Sequence, residues 1–154
     1  MELEELKEII KKAWQSVKKN NREILAQGIH EQTISAHLFC ELRSDKDLKG
    51  GIWHIDVEYN RTGEEGKAKE IPPNKKAKLI RLRPDIIIHK RAHRHQKDNL
   101  LWIEIKKEGS GTNMDVYKCK KVTSREGEFQ YQHALLLIYN SRGCLLYTSP
   151  SPRD

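Results

Sequence analysis

Cysteine is scarce in this chain, with three residues in 154. Cys144 lies in a terminal segment treated separately below, and Cys40 and Cys119 are far apart with no CxxC pair. That usage excludes a disulfide framework and a cysteine-based zinc site, and it is what a reducing cytosol produces. Long apolar runs are also missing. Nothing approaches the ~20 residues of a membrane-spanning helix, and Met1 opens a charged amphipathic segment instead of a signal peptide. A soluble, cytoplasmic protein without a membrane partner is predicted. The stretch from His30 to Ile34 lacks the second histidine that a zinc-protease helix needs at the fourth following position. His30 and His37 are therefore read as surface or supporting residues.

What the chain has in excess is positive charge. Lysine and arginine number 29 against 22 acidic residues, a formal net charge of +7, and a third of all residues are charged. A basic balance fits a polyanionic partner without demanding one. The length suits one domain with a modest core. The last eleven residues, Cys144 to Asp154, resemble the translation of a transposon-type sequencing adapter. On that reading residues 1–143 form a single domain cut short at its C-terminus, and 144–154 belong to no domain. An ordinary Ser/Pro tail is the alternative.

Periodicity divides the rest. Leu3, Leu6, Ile10, Ala13, Trp14 and Val17 recur at helical spacing over residues 2–18, for which a packing or dimer role is open but unsupported. A second helix is predicted over 22–42, interrupted near Gly28, with an apolar stripe of Ile34, Leu38 and Leu42. Glu31 falls on that stripe, where a carboxylate needs a cation or a metal. Residues 52–59 alternate as a half-buried strand, leaving Asp56 and Glu58 on its solvated face. Residues 60–78 read as a mobile, lysine-bearing loop, and 79–89 as a second strand. After the Gly-rich turn at 109–111, a helix capped at Thr112 or Asn113 carries Asp115 in its first turn and Lys118, Lys120 and Lys121 on an exposed side. Residues 130–139 form a last, buried strand, parallel to its neighbour.

The chain is organised around Pro84 to Lys106. Two runs rich in isoleucine and leucine flank the polar stretch 90–99, the pattern of a β-hairpin with a long tip. His89, His93 and His95 decorate that tip, which is read as a solvated loop. Folding the hairpin about the middle of its tip sets Asp85 opposite Glu104. Glu104 and Lys106, two apart, share a strand face. Two carboxylates and an ammonium then converge, an arrangement that costs free energy unless something is bound. Hard oxygen ligands suit Mg2+, and the lysine can steer a water or stabilise charge on a phosphate.

Pro84-Asp85 followed by Glu104-Ile105-Lys106 resembles the PD-(D/E)xK nuclease superfamily, and the resemblance extends from about Arg22 to Tyr139. It implies an α/β protein with a restriction-endonuclease-like α-β-β-β-α-β core: a mixed four-stranded sheet flanked by helices, here with an extra N-terminal helix. It further implies Mg2+-dependent hydrolysis of phosphodiester bonds, with Mn2+ able to substitute. Asp85 and Glu104 would hold the metal with the carbonyl of Ile105, and Glu31 would complete its shell. Lys106 would be the catalytic lysine. DNA is expected before RNA as substrate. The alternatives are a non-catalytic nucleic-acid-binding module that keeps the fold, and a structural domain whose acidic strand ends are incidental.

Overall fold

The computed structural model describes residues 1–49, 52–62, 66–72, 78–91 and 96–149. Helix α1 (Leu3–Asn20) buries Leu6, Ile9, Ile10, Ala13, Trp14 and Val17 on one stripe. Its acidic first turn and basic last turn complement the helix dipole. A short helix α2 (Arg22–Ala26) follows and stops before Gly28, whose φ of +65° lies in the left-handed region that glycine enters without penalty. The chain restarts as α3 (Glu31–Ser44), where Ile34, Leu38 and Leu42 expose no surface. A single turn, α4 (Lys46–Lys49), is opened by Asp45, whose Oδ1 accepts the Asp47 N–H at 2.9 Å.

Strand β1 (His54–Val57) comes next, then two small ribbons. One pairs β2 (Arg61–Thr62) with β3 (Lys67–Ala68), the other β4 (Glu70–Ile71) with β5 (Ile80–Arg81). The remaining elements are β6 (Ile86–His89), β7 (Asn99–Lys107), α5 (Asn113–Thr123), β8 (His133–Tyr139) and β9 (Leu145–Thr148). The main sheet has the order β1-β6-β7-β8-β9. Its first three strands form an antiparallel meander, β8 runs parallel to β7, and β9 returns antiparallel to β8. The protein is therefore mixed α/β around a five-stranded mixed sheet.

Strand alternation assigns the two faces. Ile86, Ile88, Leu101, Ile103, Ile105, Leu135 and Leu137 pack toward α1 and α3. Ile87, Trp102 and Ala134 pack on the opposite face with Cys119 and Val122 of α5. Both faces of β6 and β7 are covered, which is why their sequences read as nearly continuous apolar runs. Among the described residues no helix is long and apolar enough to cross a membrane.

The structure departs from the sequence-based expectation in several places. The sheet has five strands where four are expected. The fifth is β9, from the segment expected to lie outside the fold. Leu145 and Tyr147 turn toward the core while Leu146 is exposed, so this short alternating stretch can cover the edge of β8. Residues 79–89 do not form one strand. Ile80–Arg81 pairs in a ribbon, and only Ile86–His89 joins the main sheet. Part of the expected loop 60–78 is strand, and Lys69 within it is buried. Lys75, Lys76, His93 and His95 lie outside the described residues.

Candidate functional site

The site forms where β6 begins and β7 approaches its end. Ile86 pairs with Ile103, so the next antiparallel step outward sets Asp85 against Glu104. Asp85 Oδ2 accepts the backbone N–H of Ile105 at 2.6 Å, which ties the start of β6 to β7. Trp102, Glu104 and Lys106 alternate onto the face that α5 covers. The indole Nε1 of Trp102 donates to Glu104 Oε1 at 2.9 Å.

Two further elements close on this pair. Glu31, the first residue of α3, accepts the Lys107 N–H at 3.0 Å through Oε1, and its Oε2 lies 3.2 Å from Lys106 Nζ. The turn at Gly28 makes that reach possible. A Cβ there would stand 2.7 Å from Lys107 Nζ, and the left-handed φ strains any L side chain. From the first turn of α5, Asp115 accepts from Lys118 at 3.2 Å and stands 3.8 Å from Lys106 Nζ. Lys118 Nζ in turn lies 3.7 Å from Glu104 Oε2. Four carboxylates (Glu31, Asp85, Glu104, Asp115) thus alternate with two ammonium groups (Lys106, Lys118).

The carboxylates are under electrostatic load. Burial pushes Glu104 up to about 8, helped by the charges of Asp85 and Asp115 and opposed by Lys118 and the Trp102 N–H. Burial also raises Asp85 to about 6, against the Ile105 N–H and Lys106, with Glu31 adding to the rise. Burial disfavours the charged forms of Lys106 and Lys118 too, but their acidic neighbours outweigh it and hold both above the usual lysine value. Two like charges 4 Å apart repel by about 4 kcal/mol at an effective dielectric of 20. A neutral hydrogen bond returns only ~1 kcal/mol. Hydrogen bonds alone therefore do not offset the crowding; protons or a cation do.

No protein-family model, curated protein or solved structure matches this chain. The site's chemistry must therefore be read from its own residues.

Of the residues singled out in the sequence, Asp85, Glu104, Lys106 and Glu31 converge, and the backbone of Ile105 joins through its N–H. Among the described residues no three His, Cys, Asp or Glu side chains stand as a ready-made metal group. Ammonium groups lie between the carboxylates. The donor set is nevertheless all oxygen, with neither imidazole nor thiolate bonded into it, and burial raises the carboxyls of Glu104 and Asp85. That chemistry fits a hard divalent cation such as Mg2+.

Asp115 and Lys118 correct the reading of α5. The lysine is not on an exposed face; its side chain is 18% accessible and points into the site. Asp115 is buried. Positions 115, 118/119 and 122 recur at helical spacing with the buried Cys119 and Val122, and that stripe was the available signal. Behind the site, Lys69 Nζ lies over the rings of Tyr59, Trp102 and Tyr131 and 2.9 Å from Tyr131 Oη. Tyr131 meets Trp102 edge-on, so the indole that holds Glu104 is itself fixed from behind.

Proposed function

We propose that this protein is a divalent-metal-dependent nuclease of the PD-(D/E)xK type, cleaving phosphodiester bonds in DNA. The observation that carries the reading is Asp85 set against Glu104 with Lys106 on the same face. The order α3, β1, β6, β7, α5, β8 runs α-β-β-β-α-β and supports a restriction-endonuclease-like core.

In this reading Asp85 and Glu104 would hold Mg2+ with the Ile105 carbonyl, and Glu31 would complete its shell. A bound divalent cation would lower the pKa of a coordinated water and neutralise charge on the scissile phosphate. Lys106 donates hydrogen bonds to a phosphate oxygen and orients the attacking water, and its raised pKa keeps it charged for both tasks. Lys118 supplies a second ammonium from the α5 side. Glu31 and Asp115 position these two lysines when substrate is absent and release them as phosphate oxygens replace carboxylate oxygens.

One observation favours a second reading. Lys106 and Lys118 already neutralise carboxylates of the site, as they would in a non-catalytic nucleic-acid-binding module. A plasmid-nicking assay separates the two. The nuclease nicks with Mg2+ or Mn2+ and stops with EDTA. Asp85→Ala and Lys106→Ala each lower the rate at least about a hundredfold while DNA binding persists. Nicking absent in wild type, or equal in all three proteins, leaves only the binding module.

A further inference from the structure

A second cavity, of about 320 Å³, lies along the open edge of β1 between that strand, α3 and α4. Its volume is at the lower end of what encloses a small ligand. Among its lining residues are Arg43, Lys49 and Arg91 against one carboxylate, Asp56, together with the aromatic side chains of Phe39 and Trp53.

Asp56 is not the solvated residue that strand alternation suggests. Its side chain is 13% accessible, and it accepts from Arg91 Nε at 2.9 Å with His89 Nε2 at 3.0 Å. The carboxylate is thus satisfied and does not oppose an incoming anion. Arg91 also donates through Nη2 to Asp56 Oδ1, so its guanidinium is fixed in place on two N–H groups. Arg43 and Lys49 are exposed and have no carboxylate partner among the described residues. Arg43 lies over the Phe39 ring at 5.5 Å, and Lys90 stands 5.4 Å from the centre of the Trp53 ring. Planar rings beside paired and unpaired cations are the two components that recognise a nucleotide: a surface on which a base stacks, and donors for its phosphate.

We propose that this cavity binds one nucleotide of a single strand, with the base against Trp53 and Phe39 and the phosphate between Arg43 and Lys49. Trp53 and Ile55 face α3, whereas Asp85 and Glu104 lie on the α5 face, so the cavity and the acidic site are on opposite sides of the sheet. Binding in the cavity does not rest on the nuclease reading and does not require hydrolysis.

The test is fluorescence anisotropy with a short fluorescein-labelled oligothymidylate, in EDTA so that nothing is cut. Thymidine 5′-monophosphate and a blunt duplex serve as competitors. The wild-type protein binds the oligonucleotide more tightly than the duplex. Arg43→Gln with Lys49→Gln, both at exposed positions, weakens binding on the order of tenfold and flattens the salt dependence by about 0.7 per lost phosphate contact. Trp53→Leu weakens it roughly five- to a hundredfold, and Trp53→Phe restores most of the loss. Competition by the monophosphate, lost in the same variants, identifies a free nucleotide as a ligand of the same pocket. Equal binding by wild type and the Gln variants overturns the proposal, as does a preference for the duplex. A protein that fails to nick DNA yet loses oligonucleotide on Arg43→Gln and Lys49→Gln would sink the nuclease reading and keep this one.

Discussion

Glu104 is the residue on which the site's energetics turn. Its folded-state pKa of about 8 exceeds the ordinary value of 4.5. Between those pH values the folded chain retains a proton that the unfolded chain has released. Its contribution to stability is therefore complete below about pH 4.5 and is lost as pH rises through 8. Glu104→Gln cannot ionise and keeps an acceptor for the Trp102 N–H. In EDTA at pH 8 it should be more stable than wild type by several kcal/mol, on the order of 10 °C in Tm, with the difference vanishing near pH 4.5. Adding Mg2+ at pH 8 should raise the melting temperature of wild type and leave that of Glu104→Gln unchanged. Melting curves across pH, with and without the metal, read both effects; identical curves for the two proteins would rule them out. The opposition of Asp85 and Glu104 was legible in the sequence because a hairpin's register follows from counting about its tip. Asp115 and Lys118 were not. A carboxylate and a lysine three apart on a helix look like any solvated pair until their buried neighbours are known.

At the scale of elements, the break between α2 and α3 decides where Glu31 points. The interruption was legible because Gly28 is the glycine that disrupts an otherwise helical stretch. Its exact use was not, since the close approach to Lys107 comes from a strand nearly eighty residues away. Gly28→Ala should cost about 1–2 kcal/mol through the left-handed φ, since the Lys107 Nζ that its Cβ would meet ends a flexible side chain that can move aside. If the acidic site holds Mg2+ as proposed, the same change should weaken that binding, because moving the first turn of α3 moves the carboxylate that faces Lys106. Chemical denaturation measures the first effect and isothermal titration with Mg2+ the second. Unchanged affinity would mean that Glu31 takes no part in holding the ion. The small ribbons of residues 61–81 escaped the sequence because two-residue strands carry no period, and Lys69 looked like one more loop lysine. Nothing local announces that three aromatic rings from distant segments enclose it.

Over the whole molecule, the three-stranded meander and the packing helix α3 follow from strong, regular apolar patterns. The fifth strand does not, because Leu145–Thr148 is short and gains its place only by lying against β8. Its removal provides a direct measurement. A chain ending at Gly143 should be less stable by on the order of 2–3 kcal/mol, having lost the partial burial of Leu145 and Tyr147. It should also self-associate through the uncovered edge of β8. Equilibrium unfolding and size-exclusion chromatography check the two outcomes, and an undiminished stability would place β9 outside the cooperative unit. The meeting of α1 with the far end of the chain has a consequence for synthesis. Trp14 donates to the Gly143 carbonyl at 2.9 Å and its ring lies 5.8 Å from that of Tyr139. Helix α1, made before the rest of this sheet, therefore finds its last partners only when β8 and the turn after it have emerged. Until then a nascent chain carries an uncovered apolar stripe of Leu6, Ile10, Trp14 and Val17, the kind of surface that a chaperone at the exit tunnel binds.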